Sequence, residues 1–400
     1  MASILWKNNN FQLDQKKIHN VMLWGLLIRL ALLIFMITIG TQWIEPYFIS
    51  DDIAYERKAY RFMLYANGPF DFDYLDELIS GYLQSFWPSV MCISAAIFHS
   101  YYAGRFINVV LSTLCVKVIY NLTYILCQKK NTAMLAGKLF AYFPINILLS
   151  CFPIKDIFLT TGVLYIFYIF LLMQNRYALH IGQIILAIIT AVCVYFTRGA
   201  VIEMMSIFLV VFLLDGCIRQ KRYNAAFFVV MATIAMWLVY GDRIMAAFMT
   251  KIDDYSDYNT RANGLAMLQM QNPGQFYKLP FAYFFATLQP MKLNLMETGQ
   301  TWLGIISLMN ISMYPIAIGN FMYIFQKKHN FVFWLCGLII YCAVISMSLG
   351  IFRHYMFLLP LIFINFSLYA EGNTKNRNTI LVGGSIAILG VVLLYTFIKL

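Results

Sequence analysis

An all-α fold, a polytopic transmembrane helical bundle of about eleven spans with interfacial helices in its first extracytoplasmic loop, follows from three features of the sequence. The chain is 61% hydrophobic and only 12% charged, far from the roughly 25% charged residues of soluble domains. Its apolar runs repeat near the length of about 20 residues that carries a helix across about 30 Å of hydrocarbon. Those runs are long and alternate weakly, which excludes a closed barrel and leaves helices to satisfy the backbone inside lipid.

The elements follow in order. The first run, Val21 to Gly40, comes after Lys16 and Lys17 and is too long for a signal-peptide core, with no small-residue cleavage site. It reads as a retained first span. Residues 86–104 are apolar but short and contain Pro88, His99 and the Tyr101–Tyr102 pair before Gly104. They read as an interfacial helix outside the membrane. The remaining spans fall at about 106–127, 133–151, 157–174, 180–197, 200–215, 225–241, 301–325, 331–350, 355–370 and 379–398.

Charge sets the orientation. Lys16/Lys17, Lys129/Lys130, Arg176, Arg219/Lys221/Arg222, Lys327/Lys328 and Lys375/Arg377 all fall on the side of the N-terminus, which the positive-inside rule makes cytoplasmic. Counting 86–104 as a span would invert every later loop. The expected location is therefore the inner (plasma) membrane, multi-pass, with residues 1–400 forming one membrane domain. Two long connections, 41–104 and 242–300, then face outward and carry thirteen of the eighteen Asp and Glu residues. Loops of such length are usually functional or disordered, and aromatic residues such as Phe70, Phe72, Trp87 and Phe281 suit them to the membrane surface.

The net charge of +11 sits in short clusters between spans rather than on one face, so topology explains it and no nucleic-acid partner is expected. The eight cysteines are scattered within apolar runs without metal or redox spacing. No metal site is expected from them.

The residues suited to chemistry gather on the outer side. The stretch SDDIAYERKAY, Ser50 to Tyr60, opens with Asp51 and Asp52. Adjacent carboxylates repel, which raises at least one pKa and fits a general base. An N-cap followed by ordinary i,i+4 pairs from Glu56, Arg57 and Lys58 explains the same residues. Lys155–Asp156, after Pro153, stands between two spans, where Asp156 serves as a helix cap or a site carboxylate. Arg198, Arg353 and His354 are outward-ending cations, and an arginine fork matches phosphate. Headgroup anchoring is the alternative for each arginine. Arg29, Lys117, Lys138 and Glu203 lie within spans and receive no role.

In order, these features resemble the GT-C superfamily of membrane glycosyltransferases, particularly the branch of protein O-mannosyltransferases and aminoarabinose transferases. The likeness covers most of the chain: Asp51–Asp52 with Tyr55 after the first span, Trp87–Pro88, Gly104–Arg105 before FINVVLSTL, Asp156 after the third span, and Arg353 before Leu359–Pro360. The chain departs from the family in having Asp-Asp for Asp-Glu and Trp-Pro-Ser for His-Pro-Pro.

The resemblance implies transfer of a sugar from a polyprenyl-phosphate donor to a glycan, lipid or protein acceptor on the outer face, with inversion at the anomeric carbon. It implies Asp51 as base with Asp52 beside it, and Asp156 orienting the acceptor or a divalent metal. Tyr55, Arg105, Arg198, Arg353 and His354 would bind substrate. Membrane lipids are the remaining partners, and no other cofactor is expected. A surface-polysaccharide polymerase would share the many spans and outer arginines but lean less on the carboxylates. A lipid-linked-sugar flippase or other transporter would favour repeated halves and midplane sites, and the sequence has neither.

Overall fold

The computed structural model describes residues 15–38, 50–79, 85–175, 177–199, 201–202, 205, 210, 213–214, 216–218, 221–262, 277–278, 311–323, 359–372 and 378–399. These residues are helical with no strand among them, and they divide into two compact units, Met1–Ile202 and Glu203–Leu400.

The first unit contains α1 (Gln15–Thr38), α2 (Ser50–Tyr65), α3 (Phe72–Ile79), α4 (Phe86–Phe98), α5 (Ala103–Cys127), α6 (Lys130–Tyr142), α7 (Pro144–Ser150), α8 (Asp156–Gln174) and α9 (Ile181–Thr197). The second contains α10 (Tyr223–Ala262), α11 (Met313–Met322), α12 (Leu359–Gly372) and, after a π-helical turn at Thr379–Gly383, α13 (Gly384–Lys399).

Among the described residues four stretches are long and apolar enough to cross a membrane: Lys16–Thr38, Ala103–Cys127, Asp156–Gln174 and Tyr223–Asp242. They match four of the expected spans. In α1 a stripe at Ile18, Val21, Arg29, Leu33 and Met36 is buried, while Leu23, Trp24, Leu27, Ile28 and Ile34 point outward. A helix apolar on both faces belongs in lipid, not in water. The same holds for α9, whose Ile184, Ile185, Ile188, Ile189 and Val192 are exposed. The interfacial stretch forms α4, which at 13 residues is too short to span. It ends where His99 turns left-handed (φ 49°) and the Ser100 N–H closes back on the Ala95 carbonyl.

Two sequence expectations change shape. The single span expected at 133–151 is broken into α6 and α7, bent by 55°. Pro144 begins α7 and has no N–H for the Phe140 carbonyl, while Phe143 is extended, as a residue before proline prefers. The helix expected to end near 241 continues as α10 to Ala262, so the loop expected at 242–300 opens as helix. Its residues 242–262 contain neither Pro nor Gly, so the sequence holds no strong helix breaker there.

The helices of the first unit have definite directions. Thr161 Oγ1 donates to the Leu111 carbonyl, and Asn108 donates to the Ile154 carbonyl, so α5 and α8 run parallel from a shared end. Gly162 faces Thr190 and Val194, and Tyr165 donates to the Gln183 carbonyl, so α9 returns antiparallel to α8. The starts of α5 and α8 and the end of α9 therefore lie at one end of the unit.

Candidate active site at the head of two parallel helices

The shared end of α5 and α8 gathers Glu56, Arg105 and Asp156, three of the four charged residues buried among the described ones. Arg105, in the first turn of α5, is 1% exposed, and Glu56 of α2 is 2% exposed. Their contact is bidentate: Nε donates to Oε1 at 2.5 Å and Nη2 to Oε2 at 3.0 Å. The guanidinium also stacks on the rings of Tyr102, 5.7 Å away, and Phe152, 5.9 Å away. A planar fork on a carboxylate with aromatic faces is the arrangement arginine suits and lysine does not.

This pair ties α2 to α5. Packing of α2 on α4 does the rest, with Tyr55, Ala59, Trp87, Met91 and Ala95 in one buried cluster. Tyr55, expected at substrate, is thus part of that core at 4% exposure. The backbone of Asp51 and Asp52 forms the first turn of α2, one to two turns before Glu56.

Around Arg105 lies a group of tyrosines. Tyr101 and Tyr102 share a hydroxyl hydrogen bond of 2.7 Å, and Tyr60 meets the Tyr101 ring edge-on at 5.7 Å. That hydrogen bond, with partial burial, pushes the Tyr101 phenol up to about 12. Farther along the segment between α1 and α4, Asp71 caps α3 by accepting from the Asn67 and Tyr74 backbone N–H groups, and these hold its carboxyl below the usual carboxylate range. Lys58 donates to the Leu78 carbonyl, and partial burial lowers its ammonium below the usual lysine value.

Asp156 is the first residue of α8 and 1% exposed. Neither carboxylate oxygen finds a hydrogen-bond partner among the described residues. A cap would accept a backbone N–H of the first turn, and no such bond forms here. A buried carboxylate left without a donor is costly, so the cap reading loses its support.

Arg198 closes α9 with an extended backbone (φ −164°) and is half-buried. By the antiparallel run of α8 and α9 it stands at the same end as Asp156. Arg353 and His354 lie outside the described residues. Among the described residues no group of three His, Cys, Asp or Glu side chains is arranged to hold a metal ion. The site's offering to a cation is the Asp156 carboxylate.

Sequence reasoning missed Glu56, because Arg57 and Lys58 beside it offered local partners. It also passed over Asn108, three residues after Arg105 on the same helix face and completely buried. A polar amide at that spacing inside FINVVLSTL was the available signal.

No protein-family model matches the chain, and no curated protein sequence matches it. Solved structures of the Archaeoglobus fulgidus oligosaccharyltransferase are similar to it. The complex with zinc and sulfate is 13% identical with a TM-score of 0.46, over 94% of this chain and 52% of that one. The form tethered to an acceptor peptide containing the NVT sequon is 14% identical with a TM-score of 0.43, over 96% and 55%. The apo form is 14% identical with a TM-score of 0.46 over the same shares, 96% and 55%. This chain spans about half the length of the oligosaccharyltransferase chains to which it is similar.

Proposed function

We propose that this protein is a membrane glycosyltransferase that moves a sugar from a polyprenyl-phosphate donor to an acceptor on the extracytoplasmic face, inverting the anomeric carbon. The observation that carries the reading is Asp156, a carboxylate buried without a partner among the described residues, at the end where α5 and α8 both begin. Displacement at an anomeric carbon passes through an oxocarbenium-like state. It needs a base for the incoming hydroxyl and positive charge for the departing phosphate. Two parallel helix starts supply positive dipole ends at the same place.

In this reading Asp51 is the base, with Asp52 beside it, on the helix that Glu56 and Arg105 fasten to α5. Arg105 acts through that fastening and keeps the acidic turn in register. Arg198, Arg353 and His354 receive the phosphate. Asp156 orients the acceptor hydroxyl or a divalent metal, which would supply further charge for the leaving group. The isoprenoid tail stays among the exposed apolar faces of the spans while its head reaches the outer end.

The test is turnover by the protein in lipid nanodiscs, with radiolabelled sugars on polyprenyl mono- and diphosphate and with peptide, glycan and lipid acceptors. Transfer that depends on the donor, and is lost in Asp156→Asn and Asp51→Asn while both variants stay folded, is the expected result. Absence of transfer from every donor, or full activity in both variants, would refute the reading. Activity kept by Asp51→Asn but lost by Asp52→Asn would move the base by one residue.

A further inference from the structure

The connection from α7 to α8, residues Cys151 to Lys155, carries three successive buried carbonyls, and each is taken by a side chain from another helix. Asn108 of α5 donates from Nδ2 to the Phe152 carbonyl at 2.7 Å and to the Ile154 carbonyl at 2.8 Å. Trp87 of α4 donates from Nε1 to the Pro153 carbonyl between them at 3.1 Å. Asn108 is 0% and Trp87 1% exposed, and Phe152 and Ile154 are equally hidden. The Trp87 ring also stacks on Phe158 of α8 at 5.9 Å.

A buried connection must place its carbonyls somewhere, and water or its own turn would serve for an ordinary loop. Here the partners come from two other helices, and the residue that follows is Asp156. One amide spends both its hydrogens on two carbonyls, so the peptide planes that carry the Phe152 and Ile154 carbonyls cannot rotate independently. Asn108 Oδ1 is itself without a partner among the described residues. Asn108 is carried by α5, so its two donated hydrogen bonds tie the connection to that helix.

We propose that Asn108 and Trp87 are positioning residues for Asp156: by gripping the carbonyls of residues 152, 153 and 154 they fix where the unpartnered carboxylate stands. The inference rests on the proposed transferase reading for its consequence in catalysis, but the grip can be tested apart from it. Neither residue touches the reacting atoms. They act through the connection, and a misplacement of about 1 Å can cost on the order of 100-fold in rate.

Three single variants in nanodiscs separate positioning from general packing. Trp87→Phe keeps a ring on Phe158 and removes the N–H, whereas Asn108→Leu keeps the volume and removes both donors. Phe158→Leu disturbs the same packing without taking a donor from any carbonyl. Two quantities are read: the kcat and donor KM of transfer, and hydrogen–deuterium exchange of the segment 149–157.

In Trp87→Phe and Asn108→Leu, kcat is expected to fall about 10- to 100-fold with donor KM changed less than about 3-fold. Exchange of the segment should quicken about 10-fold, while Phe158→Leu keeps kcat within about 3-fold of wild type. Unchanged exchange in both donor variants overturns the grip. Faster exchange with unchanged kcat, or an equal fall of kcat in Phe158→Leu, overturns positioning. If the wild type transfers nothing, the proposed function is lost and the exchange comparison alone decides the grip. If one donor variant fails to fold, the other carries the same test.

Discussion

Arg29 and Arg105 are both buried to within about one per cent, yet the protein settles their charges in opposite ways. Arg105 meets a carboxylate, Glu56, in a closed bidentate pair. Arg29, in the middle of α1, has no carboxylate partner among the described residues and binds Ser112 Oγ and the carbonyls of Gly25, Phe140 and Ala141. Pro144 has no N–H for the Phe140 carbonyl, and Arg29 reaches that carbonyl and the one beside it. The cation thus repairs a bent span. The site end is built to be locally neutral around its pair, while the α1 seam keeps a net positive charge spread over backbone dipoles.

The comparison breaks most visibly at Glu56. Removing one partner of a buried pair strands the other charge, typically at about 3–5 kcal/mol. Glu56→Ala should therefore cost that much in thermal or denaturant unfolding, and Glu56→Leu with Arg105→Met should cost far less. A single variant no worse than the double would mean that the pair is not desolvated as described.

A smaller loss is expected at Arg29. Arg29→Met takes the cation from the Ala141 carbonyl and from the Phe140 carbonyl, which Asn146 Nδ2 also reaches at 3.5 Å, so the loss should lie near the low end of the about 1–3 kcal/mol of an unsatisfied group. Pro144→Ala restores an N–H that reaches the Phe140 carbonyl once Phe143 turns helical and the bend straightens, so it should recover part of the loss in the Arg29→Met background more than it helps wild type. Simple additivity of the two changes would show that they do not share those carbonyls.

Asp71 marks the lower end of the scale, a charge handled in water by local N–H donors. Its carboxyl is held below the ordinary 3.8, first by the Asn67 N–H and then by the Tyr74 N–H. A depressed folded value means stabilisation that is fully present above the unfolded value and disappears as pH falls through the folded one. Exchange protection of residues 67–79, corrected for the intrinsic rate, should therefore weaken between about pH 5 and pH 3. Asp71→Asn should remove most of that dependence. An unaltered pH profile in the variant would assign the effect to other carboxylates.

The apolar runs were enough to place α1, α5 and α8, because a helix in lipid needs only length and hydropathy. They could not show the α6–α7 break as a repaired one, since the repair comes from Arg29, 111 residues before Phe140 in the chain. Nor could the sequence name the partner of Glu56, because Arg105 lies 49 residues away in the chain. Asp156 stands out in the sequence as an acidic residue between two spans, where a cap and a site carboxylate fit equally well. What surrounds it, the carbonyl grip and the aromatic faces on Arg105, depends on α4 and α5 meeting in space.

That meeting has a narrow tolerance. At Gly104 a Cβ would come within 1.8 Å of the Met91 sulfur, a side chain wholly enclosed between α4 and α5. Met91 lies one turn after Trp87, and Gly104 immediately precedes Arg105. An added methyl at 104 would push first on a thioether and, through it, on the helix that holds the Pro153 carbonyl. The bare backbone there works as a spacer gauge: the thickness of one methionine sets how far the tryptophan and the arginine stand apart.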